Sequence, residues 1–271
     1  MTTKAPLAFV HAHPDDEAFF GAGACAHYRA LGHRVVLVTC TNGGLGLDPA
    51  GRPGDHPDHD HAATRATRAR ELQSAASLLG FSRVVTLGYD DSGMTGWASN
   101  ENPYAFVNAD EVAVARTLAS IFDEEGVRVV VTYDERGFYG HPDHVKANLV
   151  TRRALESAPG VRRLYYPVVP RRVLGDFVKD ATELGLELPA WVLEAGTHVA
   201  DDDVATTLDV TRYAALKQRA MAAHESQVDN GDVVRMNERL FARLFGVEYY
   251  QRAHGPGDLD QDRVDLMGGV A

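Results

Sequence analysis

Apolar residues in this chain gather in short runs rich in Val, Leu and Tyr, separated by longer stretches with helical spacing. The runs Leu7–His11, Arg34–Thr39, Arg83–Leu87, Val127–Tyr133 and Arg163–Val169 read as strands, because β-branched and aromatic side chains suit a pleated backbone. Between them, Ala18–Leu31, Ala62–Leu79, Ala109–Glu124 and His144–Glu156 read as helices, and a later one is predicted over Tyr213–Ser226. This alternation predicts right-handed crossovers and an α/β, Rossmann-like fold: a mainly parallel sheet with helices on both faces. Val35–Val38 and Val129–Val131 lack polar alternation, as expected of strands buried on both sides. Ligands of such sheets bind beyond the carboxyl ends of the strands.

The pattern is that of a single domain over residues 1–252, with a catalytic core at about 5–165 and a smaller, irregular C-terminal subregion at about 166–252. Three loops interrupt it: Gly43–His61, Asp90–Asn108 and the turn around Pro167–Pro170. Long loops beside strand ends frame or cover a site. The Gly- and Asp-rich end, 253–271, reads as a surface arm, partly disordered or available as an interface for a homo-oligomer.

A net charge of −11 over 271 residues argues against nucleic acid and anionic membrane surfaces as partners. The Asp201-Asp202-Asp203 run reads as solvated surface. No stretch approaches the roughly 20 apolar residues that span a bilayer, and Asp15, Asp16 and Glu17 break the only early apolar segment, so no signal peptide is expected. The two cysteines, Cys25 and Cys40, read as small buried hydrophobes, which makes a reducing cytoplasm the simplest compartment.

Two segments carry the chemistry. His13-Pro14-Asp15-Asp16-Glu17 follows the first strand, and Gly140-His141-Pro142-Asp143-His144 follows the fourth after a short loop. Either segment alone is accounted for by N-capping and a satisfied loop histidine. Two His-Pro-Asp segments at equivalent strand ends are not. Neutral imidazoles and ionised carboxylates at such places suit a borderline metal ion, and three protein ligands with open positions characterise a catalytic zinc. His13, Asp16 and His144 make the best trio. Asp15 then stands beside the ion unligated, as a general base on water does. His141, as an imidazolium, faces the site from the second helix start, where it serves a developing oxyanion or the leaving amine.

On these residues the chain resembles the GlcNAc-phosphatidylinositol de-N-acetylases, also called PIG-L or LmbE-like proteins, over most of its length to about residue 228. Val-Thr-Cys-Thr at 38–41, Asp-Ser-Gly-Met at 91–94 and Val-Val-Thr-Tyr-Asp at 130–134 bring it nearest the mycothiol deacetylase and mycothiol conjugate amidase branch. The resemblance implies zinc, with Fe2+ as the alternative in the cell, on His13, Asp16 and His144, and a small N-acylated sugar-like substrate. It further implies Asp15 as base, His141 on the tetrahedral intermediate with Asp143 supporting it, and Tyr139 as a mobile tyrosine near the oxyanion. Arg68 and Asp91 match positions that hold sugar hydroxyls or a phosphate-like group. Against these roles stand a surface salt bridge of Arg68 with Glu71 and an Asx turn at Asp91.

Two departures stand out. Where that branch places a glutamate after Thr41, this chain reads Asn42-Gly43-Gly44-Leu45-Gly46. The next loop carries a third motif, His56-Pro57-Asp58-His59-Asp60-His61, a flexible lid rather than a second metal site given its Gly/Pro surroundings. Lys217, His224 and Gln227 have partial matches in the branch, and His224 is placed to reach the site rim. The expected activity is removal of N-acetyl from an amino sugar or small glycosylated metabolite. The alternatives are amide cleavage of a larger thiol-sugar conjugate, a non-haem Fe(II) oxygenase using the same two His and one carboxylate, and a non-catalytic sugar-binding protein.

Overall fold

A computed structural model of the chain describes residues 4–183, 198–227, 231–256 and 263–270. In chain order the elements are β1 (Leu7–His11), α1 (Asp16–Phe19), α2 (Ala22–Ala30), β2 (Val35–Thr41), α3 (His61–Leu79), β3 (Arg83–Tyr89), α4 (Glu111–Glu125), β4 (Val129–Val131), α5 (Gly137–Gly140) and α6 (Pro142–Leu155). There follow β5 (Arg163–Val168), α7 (Arg171–Glu183), β6 (Thr206–Asp209), α8 (Ala214–Ala222), α9 (Gly231–Arg235), α10 (Glu238–Phe245) and β7 (Val247–His254).

Among the described residues the strands form one sheet in the order β3-β2-β1-β4-β5-β7-β6. The first five are parallel, while β7 runs antiparallel to β5 and β6 antiparallel to β7. Chain order reverses between β1 and β4, so the crossovers leave β1 and β4 on opposite faces. This is where a crevice opens at the carboxyl edge of an open α/β sheet. Both His-Pro-Asp segments leave the sheet at that point.

Strand alternation divides the core in two. Leu7, Phe9, Val35, Leu37, Val129 and Val131 pack with residues of α2, α3 and α8. Ala8, Val10, Val36, Val38 and Val130 pack with residues of α4 and α6 on the other face. The helices begin and end where the sequence supplies caps. Asp60 and Asp110 accept the N–H of Ala63 and Ala113, and Gly80 and Gly126 close α3 and α4 at φ 77° and 65°, where glycine has no Cβ to clash.

The predicted helix over Ala18–Leu31 is broken in two. Gly21 takes φ 113°, and a Cβ there would lie 2.4 Å from Phe9 Cε1, so the break lets the chain press onto β1. The N-terminus of α2 rests on a buried carboxylate, since the N–H groups of Gly23 and Ala24 donate to Glu248 at 2.9 Å each. Lys217 Nζ reaches the same carboxylate at 2.8 Å. The pair ties β7 and α8 to the first half of the chain.

Within the expected surface arm, the described residues 263–270 include a buried stretch. Leu266 is fully buried, its N–H donates to Tyr28 Oη at 2.7 Å, and Tyr28 donates to Asp265 at 2.8 Å. Apolar burial of Leu266 and Met267 against β5 and α2 overrides the polar composition around them. Among the described residues no helix is long and apolar enough to cross a membrane.

Candidate active site

After β1 the chain turns across the carboxyl edge of the sheet, and the His13 N–H donates to Asp16 Oδ2 at 2.7 Å. Asp16 also accepts the hydroxyl of Tyr133 at 2.6 Å, and that oxygen accepts the Ala12 N–H at 2.8 Å. The Tyr133 ring stacks on His144, with centroids 3.9 Å apart and planes 14° from parallel. His144 comes from the first turn of α6, which starts at Pro142 with His141 as its cap. Proline at the first helical position costs no hydrogen bond and fixes both histidines relative to the helix axis.

These contacts bring three donors together. His13 Nδ1 and His144 Nε2 are 3.3 Å apart. Each lies 3.5 Å from an oxygen of Asp16, His13 from Oδ2 and His144 from Oδ1. A tetrahedral ion with bonds of about 2.0–2.1 Å holds its donors about 3.3–3.4 Å apart; the two nitrogens meet that spacing, while Asp16 approaches each histidine with a different oxygen. On its other edge, His13 Nε2 is 3.2 Å from Asp143 Oδ2 and 3.6 Å from Asp91 Oδ1. With the proton on Nε2, His13 donates to Asp143 and turns a lone pair toward Asp16 and His144, the arrangement of a carboxylate-oriented metal histidine. Among the described residues, the groups whose ligand atoms all lie within 4.8 Å of one another are His13 with His141 and His144, and His13 with Asp91, His141 and Asp143; Asp16 is in neither.

The electrostatics suit a cation. Burial opposes charge on His13, yet Asp91, Asp143 and Asp16 raise it well above the usual imidazole range. Burial opposes charge on Asp16 too, but His144 and His13 hold it well below the usual carboxylate range. Burial brings His144 down to about 3, with His13 contributing, so its ring is neutral and offers a lone pair.

Asp15 stands beside this group in a strained backbone, φ 121°, a region that costs a non-glycine residue about 1–3 kcal/mol. Two partners hold it there, one of them braced by a third residue. Its N–H donates to Glu17 Oε2 at 3.0 Å, and Glu17 Oε1 pairs with His224 Nε2 at 2.6 Å, both side chains fully buried. Arg68 Nη2 donates to Asp15 Oδ2 at 2.9 Å. Burial pushes the Asp15 carboxyl up to about 6, with Arg68 acting in the opposite direction.

Arg68 is buried, and its Nη1 donates to the Gly43 carbonyl at 2.8 Å. The surface bridge to Glu71 does not form, because Glu71 accepts the N–H and hydroxyl of Ser226. Asp91 makes its Asx turn with Gly93 at 2.9 Å and still faces His13. Asp143 accepts from the Ser92 N–H and hydroxyl, so its carboxylate supports His13; it reaches His141 through its main-chain N–H, which donates to Nδ1 at 3.1 Å. That N–H makes Nδ1 an acceptor, and burial, with the neighbouring His13 and His144, brings His141 down to about 3, which disfavours an imidazolium and points to a neutral ring with its proton on Nε2.

Tyr139 lies 5.0 Å from the His144 ring and 6.1 Å from that of His141, between positive-φ residues at 137, 138 and 140. Burial raises its hydroxyl, which stays protonated. His13, Asp15, Asp16, Arg68, Asp91, Tyr139 and His141 line one cleft of about 310 Å³, with His144 and Asp143 buried behind them.

Several residues lie elsewhere. Lys217 belongs to the Glu248 pair, and Asn42 is engaged with Asp90 and Gly44. In the third motif His59 is buried and fastened to the Gly46 carbonyl at 2.8 Å, with His61 Nδ1 2.9 Å from its other nitrogen. The expected flexible lid is thus pinned, and two nitrogens alone make no metal cluster. Tyr133, Ser92 and Glu17 have no assigned role at the site in the sequence reading, although all three stand inside quoted motifs.

Residues 8–155 match the PIG-L family, GlcNAc-PI de-N-acetylase. A 1D-myo-inositol 2-acetamido-2-deoxy-alpha-D-glucopyranoside deacetylase of Saccharomonospora viridis is 36% identical over 280 residues, covering 97% of this chain and 100% of the relative. The chain belongs to the PIG-L family. Two solved structures share the fold. The N,N'-diacetylchitobiose deacetylase of Pyrococcus horikoshii aligns with a TM-score of 0.56 at 20% identity, covering 91% of this chain and 81% of that one. GalB, the 4-carboxy-2-hydroxymuconate hydratase of Pseudomonas putida, aligns with a TM-score of 0.56 at 17% identity, covering 94% and 98%. Since one fold hosts a hydratase and a deacetylase, the reaction must be argued from the site.

Proposed function

We propose that this chain is a metal-dependent N-deacetylase that releases acetate from a 2-acetamido sugar carried on a small glycoside. The observation that carries the reading is the trio His13 Nδ1, Asp16 and His144 Nε2 at 3.3–3.5 Å spacing, with unligated Asp15 fixed beside it. A full-length relative named as an amino-sugar deacetylase supports it. The trio would hold zinc, which supplies Lewis acidity toward a carbonyl and brings the pKa of water toward neutrality. Asp91 and Asp143 are less suited as ligands because both oxygens of each take hydrogen bonds, from Gly93, Leu45 and Ser92, whereas the His13 N–H and the Tyr133 hydroxyl both go to Asp16 Oδ2 and leave Oδ1 toward His144.

In this reading Asp15 takes the proton of the attacking water and returns it to the departing amine. His141 Nε2–H and the Tyr139 hydroxyl donate to the oxyanion of the tetrahedral intermediate. Arg68 keeps the Asp15 carboxylate turned to the cleft, and Asp91 accepts a sugar hydroxyl. The direct test incubates the zinc-loaded protein with N-acetylglucosamine glycosides and follows free amine. Amine release abolished by chelation and restored by zinc is expected; no release from a zinc-replete protein overturns the reading.

The long tether on Asp15 gives a second expectation. His224→Ala removes the partner of Glu17 and loosens the strained loop, lowering kcat about 10–100-fold, the range for lost outer-shell support. KM and zinc content stay near wild type, and His224→Gln, which keeps a donor at that place, recovers most of the rate. A parallel fall in kcat and zinc content would instead make His224 a part of the metal site's scaffold.

A further inference from the structure

Tyr133 stands where the two halves of the candidate metal site meet. Parallel pairing of β1 with β4 runs to Phe9 beside Val131. Beyond it, Thr132 Oγ1 donates to the Val10 carbonyl at 2.9 Å, so the chain carries Tyr133 alongside the end of β1. There the tyrosine oxygen accepts the Ala12 N–H, and its hydroxyl proton goes to Asp16 Oδ2, since an ionised carboxylate only accepts. The donors therefore run one way, from Ala12 through Tyr133 to Asp16. With the His13 N–H on the same oxygen at 2.7 Å, Oδ2 has a donor for each of its two lone pairs. Oδ1 is left toward His144 Nε2.

The ring of the same residue governs His144. A metal-binding histidine ordinarily donates from its other nitrogen to a carboxylate or carbonyl, which fixes the ring plane. His13 has Asp143 in that place. His144 Nδ1 is buried without a hydrogen-bond partner among the described residues, although the Gly137 carbonyl is near enough to favour its charged form. The Tyr133 ring lies along its face instead, 3.9 Å away and 14° from parallel. Asn148, a turn further along α6, donates to the Tyr133 carbonyl at 2.8 Å and fastens the tyrosine to that helix. Tyr133 is 1% exposed and lies outside the lining of the cleft, so it acts through Asp16 and His144 rather than on substrate.

Resting on the assignment of the ion to His13, Asp16 and His144, we infer that Tyr133 is the positioning residue of the metal site. Its hydroxyl occupies Asp16 Oδ2, so that Asp16 offers the ion one oxygen, and its ring sets the plane of His144. A carboxylate bound through one oxygen keeps a coordination position open for water or substrate. A carboxylate bound through both would fill it.

Tyr133→Phe separates the two roles, because it keeps the stack and removes the hydroxyl. Divalent cobalt, bound in place of zinc, reports its coordination geometry through its visible absorption. The cobalt-loaded variant should absorb more weakly than wild type, as the freed Oδ2 joins the coordination sphere. Tyr133→Leu, or Tyr133→Met if the leucine variant does not fold, removes the stack as well. Its cobalt affinity should fall about 10–100-fold below that of Tyr133→Phe. A spectrum unchanged in Tyr133→Phe, or equal affinities in the two variants, overturns the inference; a merely structural tyrosine would lower thermal stability and leave the spectrum alone. Crystals of the metal-free variants decide the matter without any ion. The Asp16 carboxylate should turn about its Cβ–Cγ bond in Tyr133→Phe, and the His144 ring should turn once the stack is gone. Either side chain left unmoved overturns the inference. Wild-type protein that takes up no cobalt sinks the assignment of the ion alone, since the crystals still read both side chains.

Discussion

Asp15→Asn is expected to lower turnover about 10²–10⁴-fold, the range that a positioned general base contributes, while the protein keeps its zinc. Asparagine has nearly the same shape, leaves Arg68 an acceptor, and tolerates positive φ better than most residues, so the strained loop should survive. It cannot take a proton from water. The carboxylate it replaces is held by Arg68 at 2.9 Å, and the main chain beneath it by Glu17 at 3.0 Å, so the group is fixed in place before substrate arrives. Zinc content by elemental analysis and kcat on one N-acetyl glycoside decide the matter. Wild-type zinc with a collapsed kcat is the expected pair. Turnover near wild type would remove Asp15 from the base role and leave the site without another unligated acid in that position.

How much of this was legible in the sequence depends on distance along the chain. His13 with Asp16, and His141 with His144, are each three residues apart at a strand-to-helix junction, so local spacing displays both pairs. Their convergence follows from alternating strands and helices, because a β1–β4 neighbourhood places both junctions at one edge. The supports were hidden. Tyr133 meets Asp16 across 117 positions and His224, two residues past the end of α8, meets Glu17 across 207, and neither a tyrosine nor a histidine beyond a helix end announces a buried partner. The direction of the Asp143 carboxylate was equally unreadable, since it depends on Ser92 in a loop 51 residues away. Composition averaged over 253–271 likewise conceals Leu266 and Met267, which are buried among the described residues of that stretch.

The sharpest division between the candidate donor sets comes from three variants measured side by side. His13→Ala removes a nitrogen common to every cluster, so zinc should fall from about one ion per chain toward none, and activity with it. Asp143→Asn keeps all three of His13, Asp16 and His144 but weakens the acceptor 3.2 Å from His13 Nε2. Its zinc affinity should fall about 10–100-fold, as outer-shell losses do. His141→Ala is the discriminating case. If the ion sits on His13, Asp16 and His144, this variant retains its zinc and loses about 10²–10³ in kcat, the effect of one missing oxyanion donor. If instead the three imidazoles His13, His141 and His144 form the ligand set, the variant loses zinc as His13→Ala does. The structure favours the first outcome on chemical grounds. His141 Nδ1 already accepts the Asp143 N–H, whereas Asp16 turns one oxygen to each of the two remaining histidines.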